Sequence, residues 1–256
     1  MRRRTLMLVG LVGVLVVVTG CGGGGSAGGG NGGDGEAGTV VDPATAATIS
    51  GAVSFTGTPP ENEPIAMDAE PTCAEQYPDG AFAETVLVSG GGELQNVFVY
   101  VKSGLESYNF PPPDEAVVLD QHGCRYVPHV LGVQAGQDLI IRNSDGLLHN
   151  IHPQPTTNEG FNLGQPVNMD TTRQFDEPEV MIPVKCDVHD WMTGYIGVLN
   201  HPYFAVTGAD GSFSLPNLPP GAYTVEAWHE EFGTQTMEVT VGASETSEIE
   251  FTFTGG

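Results

Sequence analysis

Cys186-Asp187-Val188-His189-Asp190-Trp191-Met192 places a thiol, an imidazole and a thioether within seven residues. Val180 to Lys185 leads into this stretch and Tyr195 to Leu199 leads out of it, both of strand-like composition. A soft thiolate, a neutral imidazole and a weak axial thioether are donors of a mononuclear blue-copper centre, once a second imidazole completes the trigonal plane. The expectation is one copper ion held by this loop and carrying single electrons.

A Cys near a His in a β-rich chain is more often a packed thiol beside a surface imidazole. Three features favour metal here. The chain opens with an export signal, and a lone thiol in an oxidising compartment is liable to oxidation unless something ties up its sulfur. Met192 falls in the same short loop. A second histidine, His149, lies upstream in Leu147-Leu148-His149-Asn150-Ile151-His152. His152 is a candidate substitute ligand. His122, His129, His201 and His229 lack ligand-like neighbours and read as surface or hydrogen-bonded residues.

Met1-Arg2-Arg3-Arg4 is a basic leader, and Leu6 to Val18 is an apolar run short for a bilayer. It ends in Val18-Thr19-Gly20-Cys21, which resembles the lipobox of bacterial lipoproteins. That resemblance implies cleavage after Gly20 and lipidation of Cys21. It also implies an extracytoplasmic, membrane-anchored protein, in the periplasm or at the cell surface. Gly22 to Gly38 is mostly glycine with small polar residues, which cannot bury apolar surface and behaves as a flexible coil. Residues 1–20 are read as a lipoprotein signal peptide and 21–47 as a disordered tether.

Beyond the tether, strand-like runs recur at short spacing between Gly, Pro, Asn and Asp, without long helical periodicity. The class is all-β. Three of the eight basic residues fall in the leader, leaving five against 32 acidic residues, a formal charge of −27. Such a balance disfavours nucleic acid and favours basic partners, with association that slows as salt rises. It also serves solubility. Of the four cysteines, Cys21 is assigned to lipid and Cys186 to copper. Cys73 and Cys124 remain, and in an exported protein two leftover thiols suggest a disulfide. Closing a loop of about 50 residues would add roughly 3–4 kcal/mol, although spacing alone does not decide whether the two meet.

Further motifs surround the loop. Val133-Gln134-Ala135-Gly136-Gln137-Asp138-Leu139-Ile140-Ile141-Arg142-Asn143-Ser144-Asp145, then His149-Asn150-Ile151-His152, precede the closing Cys-x-x-His-x-x-Met. Together they resemble the cupredoxins, most closely the amicyanin and pseudoazurin group. The resemblance implies a Greek-key sandwich over residues 116–201 with His149, Cys186, His189 and Met192 as ligands of one type 1 copper. Asn150 matches the residue that braces the ligand loops in that family. The polar stretch Phe161 to Pro178 departs from the family and is expected to form a lid or docking loop. Asp187 and Asp190 put negative charge beside the ligands, favouring the oxidised site. Trp191 either shields copper or faces a partner.

The tail carries a second pattern. Asp210-Gly211-Ser212-Phe213 and Leu218-Pro219-Pro220-Gly221-Ala222-Tyr223-Thr224 resemble the carboxypeptidase regulatory-like, transthyretin-related sandwich, a fold with no catalytic constellation here. Its usual opening strands are missing just upstream but fit Ile49 to Phe55 and Leu94 to Val101. The expectation is therefore a cupredoxin inserted into a discontinuous sandwich of residues 48–115 plus 202–256; the competing arrangement is separate units in a row. Fifty-five residues alone are few for a stable sandwich.

The leading functional expectation is an anchored blue-copper protein passing single electrons between redox partners, such as a cytochrome or an oxidoreductase. A copper storage or delivery protein and a metal-free surface interaction module are the alternatives. An enzyme is not expected: a multicopper oxidase or copper nitrite reductase needs further His-rich ligand sets, and one mononuclear set is visible.

Overall fold

The computed structural model describes residues 40–255, so the leader, the lipidation site at Cys21 and most of the tether lie outside the described residues. Alternating burial marks the strands. In Thr246–Thr254, Ile249, Phe251 and Phe253 are buried and the residues between them exposed, as a half-buried strand requires. The fold is nearly all-β. The early strands are β1 (Ala47–Thr56), β2 (Pro64–Ile65), β3 (Ala81–Phe82) and β4 (Phe98–Ser103), with one short helix, α1 (Pro71–Ala74), before β3. Then come β5 (Val117–Gln121), β6 (Tyr126–Val127), β7 (Val130–Gln134), β8 (Leu139–Asn143) and β9 (His149–Pro153). They are followed by β10 (Leu163–Gln165), β11 (Met169–Arg173), β12 (Glu179–Lys185) and β13 (Thr193–Leu199). The last group is β14 (Phe204–Val206), β15 (Ser212–Leu218), β16 (Gly221–His229), β17 (Gly233–Val241) and β18 (Thr246–Thr254).

Sheets β10-β9-β12-β13-β7 and β11-β8-β5-β6 enclose a core that includes Leu119, Val133, Ile141, Ile151, Ile182 and Ile196. We call this the inner sandwich. Sheets β15-β1-β18 and β14-β4-β16-β17 form the outer one, around Ile49, Val53, Val99, Leu215, Val225 and Phe251. Strands from both ends of the chain thus share one core: β1 runs parallel to β18 from Thr48↔Thr246 to Thr56↔Thr254.

The stretch between β1 and β4 behaves differently. Read from the sequence, it goes with the outer sandwich. Val86, Leu94 and Val97 do enter the outer core, whereas Met67, Cys73 and Ala81 cluster with Cys124, against Leu147 and Trp191, where a disulfide joins Cys73 to Cys124.

The four buried residues at the start of β4 serve two interfaces. Val99 and Val101 enter the outer core, while Phe98 and Tyr100 pack with Val130 and Leu199 of the inner sandwich. Gly132 and Gly197 are register partners on β7 and β13. A Cβ on Gly197 would lie 2.6 Å from the Phe98 ring, and one on Gly132 2.3 Å from Phe204. These glycines let the sheets close. Gly132→Val is expected to cost about 1–3 kcal/mol by overpacking, read as a lowered denaturant midpoint. Among the described residues no helix is long and apolar enough to cross a membrane.

Candidate metal centre

The antiparallel pair β12 and β13 ends at Lys185 and resumes at Thr193, so Cys186 to Met192 forms the connection between them. Three bonds close this loop on the sulfur. The Cys186 N–H donates to the Met192 carbonyl at 3.1 Å and the Met192 N–H to the His189 carbonyl at 3.0 Å. The His189 N–H points at Cys186 Sγ, 3.4 Å away. Strand β9 lies beside β12 and brings in His149, its first residue. All four expected ligands are buried: His149 is 0% exposed, Met192 1%, and Cys186 and His189 3% each.

His149 Nδ1 and His189 Nδ1 are 3.0 Å apart, and His189 Nδ1 is 3.9 Å from Cys186 Sγ. The donor atoms of His149, Cys186 and His189 all lie within 4.8 Å of one another. Cys186 is the free cysteine of the described residues, and Met192 packs in the same core as its sulfur. The donors fit copper in type and in state. His149 Nε2 is 2.8 Å from Asp145 Oδ2; a carboxylate can only accept, so the proton sits on Nε2 and the Nδ1 lone pair faces the other donors.

The electrostatics favour a thiolate at Cys186 and a neutral imidazole at His189, whereas at His149 they favour a proton that a metal would have to displace. Burial opposes the Cys186 thiolate, but His149 and the N–H groups of Asn150, His189 and Val188 outweigh it and hold the thiol below its ordinary value. Burial also opposes charging His149, yet the Asp145 and Cys186 hydrogen bonds raise its pKa. His189 is lowered by burial and by His149 beside it, so the second imidazole stays a neutral donor. Asp145 is itself kept ionised, because His149 and the N–H groups of Cys124 and Gly123 overcome its burial.

Asn150 braces both ligand segments. Its Oδ1 accepts the Asp187 N–H at 2.7 Å and faces Cys186 Sγ at 3.3 Å, while its Nδ2 donates to Asn162 Oδ1 at 2.7 Å. The Tyr126 hydroxyl lies 2.6 Å from the Asn150 carbonyl and 3.0 Å from that of Lys185, tying β9 to the end of β12. Asp187 faces solvent, and its hydrogen bonds to His152, Asn162 and Lys185 pull its pKa down to about 2, so it stays charged beside the loop.

Several expectations change. His152 is not brought to the other donors. It lies three residues after His149, an odd step that turns it to the opposite face of the strand, where its Nδ1 meets Asp187 Oδ2 at 2.9 Å. The stretch from Phe161 to Pro178 is not a free lid: β10 pairs with β9 and β11 with β8, and Phe175 and Gln165 are buried. Trp191 turns inward, stacking tilted on His189 at 5.0 Å while its Nε1 donates to the Cys124 carbonyl at 3.1 Å. His201 meets the hydrogen-bonded alternative: it is buried, with Nε2 on the Val101 carbonyl at 2.9 Å. Sequence reasoning missed Asp145 and Tyr126, whereas Asn162 belongs to the polar stretch expected near the site and there meets Asn150 and Asp187.

Residues 197–254 match the family model of the carboxypeptidase regulatory-like domain, which spans β14 to β18. No curated protein matches the chain. Among solved structures, a reduced amicyanin mutant aligns at 20% identity over 39% of this chain and 97% of its own, with a TM-score of 0.30. A purple cupredoxin from Nitrosopumilus maritimus aligns at 20% identity over 33% of this chain and 99% of its own, with a TM-score of 0.28. A copper-containing nitrite reductase from Thermus scotoductus SA-01 aligns at 19% identity over 38% of this chain and 25% of its own, with a TM-score of 0.31. At such scores these likenesses add nothing to what the side chains say about chemistry. The chain thus carries a carboxypeptidase regulatory-like match at its C-terminal end, and its solved structural neighbours are cupredoxins.

Proposed function

We propose that this protein is a lipid-anchored, extracytoplasmic carrier of single electrons, holding one type 1 copper ion through His149, Cys186, His189 and Met192. The observation that carries the reading is the buried convergence of two imidazole nitrogens, 3.0 Å apart, on the free thiol of the described chain. Copper, when bound, supplies a one-electron couple between its two common oxidation states. The chain's own contribution is preorganisation. Asn150 and Tyr126 hold the ligand segments together, Asp145 fixes the His149 tautomer, and burial keeps water from the donors. Little then has to move when charge changes, which is what fast electron transfer requires. A strongly acidic body, by the same reading, docks a basic redox protein such as a cytochrome or an oxidoreductase, faster at low salt. The outer sandwich acts as scaffold for the inserted copper-binding sandwich.

Titrating copper(II) into the purified protein tests this. One equivalent is expected to give an intense visible thiolate-to-copper band and a reversible one-electron wave. Uptake without that band, with rapid loss to a chelator, would point instead to storage or delivery, and absence of uptake would end the copper reading.

A further inference from the structure

Residues 123–125 touch the proposed centre from outside the ligand loop. Gly123 and Cys124 both have positive φ, 66° and 54°, in a turn whose successive N–H groups face one carboxylate, as in an anion-binding nest. Asp145 fills it: its Oδ1 accepts the Gly123 N–H and its Oδ2 the Cys124 N–H, both at 2.8 Å. The same Oδ2 accepts His149 Nε2 at 2.8 Å. The Cys124 carbonyl accepts the Trp191 indole N–H at 3.1 Å, and Trp191 stacks against His189. One residue's main chain thus supports both histidines, the first through Asp145 and the second through Trp191.

That residue is fixed in turn by the chain before β4. Cys124 is disulfide-bonded to Cys73 in α1. The Tyr77 hydroxyl donates to the Gly123 carbonyl at 2.7 Å. Arg125 reaches the Tyr77 hydroxyl at 3.0 Å, the Phe82 carbonyl at 2.6 Å and Glu84 at 2.9 Å. Residues 64–84 belong to neither sheet of the inner sandwich and to neither sheet of the outer one, and the family match at 197–254 does not include them.

We infer that residues 64–84 are a positioning clamp for the copper-binding histidines, acting through the Cys73–Cys124 disulfide, the Gly123–Cys124 nest and Asp145. The inference rests on the proposed copper function for its consequence but not for its geometry. Asp145 is a positioning residue here: through Nε2 it sets the orientation and tautomer of His149. Partners of this kind typically change metal affinity 10–100-fold when removed.

Three variants test the clamp: Asp145→Ala, Asp145→Asn, and the double variant Cys73→Ser/Cys124→Ser, each checked for native near-UV circular dichroism. In Asp145→Ala, copper release to a chelator is expected to accelerate about ten-fold or more, with the reduction potential raised because a buried negative charge has gone. Asp145→Asn keeps an acceptor oxygen and should restore much of the release rate but not the potential. The double variant should broaden the visible band and speed release. In metal-free protein, imidazole 15N shifts should show His149 locked as the Nε2–H form in the wild type and mixed in Asp145→Ala. Unchanged release and potential in Asp145→Ala, or a disulfide-free protein identical to wild type, would overturn the clamp. If the wild type took up no copper while His149 stayed locked, the electron-carrier reading would fall and the clamp would stand.

Discussion

Cys186→Ser is expected to abolish the visible charge-transfer band and to weaken copper binding by more than about 100-fold, beyond the loss of a supporting hydrogen bond. A serine hydroxyl is a hard, protonated donor where a soft thiolate is needed, and among the described residues Cys186 is the free thiol. The fold should tolerate the change, because the Ser hydroxyl can still donate to Asn150 Oδ1, now 3.3 Å from the sulfur. Absorption spectroscopy with a competitive chelator measures both effects, and denaturant unfolding checks that stability is near wild type. Met192→Leu is the useful contrast. It conserves volume and removes only the axial thioether, so the band should persist while the potential shifts. A Cys186→Ser protein that kept its colour would take the sulfur out of the site.

Phe98→Ala should cost about 3–5 kcal/mol, the range for truncating a buried aromatic ring. Phe98 is 0% exposed, stacks on Phe204 at 5.7 Å and lies over Gly197, where no side chain can stand in for it. Its loss empties the seam between the two sandwiches without entering either main core. Equilibrium unfolding should therefore split into two transitions, one for each sandwich, as cooperativity across the seam is lost. A single transition shifted by less than about 1 kcal/mol would mean that the sandwiches are coupled elsewhere.

How much the sequence disclosed depends on how local each signal is. Cys186, His189 and Met192 announce themselves because a thiol, an imidazole and a thioether share one loop, and His149 because it opens the motif His149-Asn150-Ile151-His152. Asp145 stayed hidden: an aspartate after Asn143 and Ser144 reads as an ordinary turn former, and only the fold shows it held by the Gly123 and Cys124 N–H groups against the His149 ring. The Cys73–Cys124 disulfide was expected from the two leftover cysteines, but two thiols separated by 51 positions carry no record of proximity, and three dimensions were needed to show that they meet. Polar composition misled at Phe161 to Pro178, where edge strands tolerate polar residues that a central strand would not. The two-sided burial of Phe98 to Val101 was invisible too, because a fully apolar run does not say which neighbour covers each face.

The pairing of β1 with β18 has a consequence for biogenesis. A ribosome or a translocase delivers β1 well before its parallel neighbour β18, with nearly two hundred residues between them. The inner sandwich can form as soon as β13 has emerged, whereas the outer one cannot close until β18 arrives. Non-local pairing of this kind is slow, and until it happens β1 lacks that partner and is open to misassociation. Losing the nine residues of β18, Thr246–Thr254, would therefore do more damage than their number suggests, because β1 would be left paired with β15 alone.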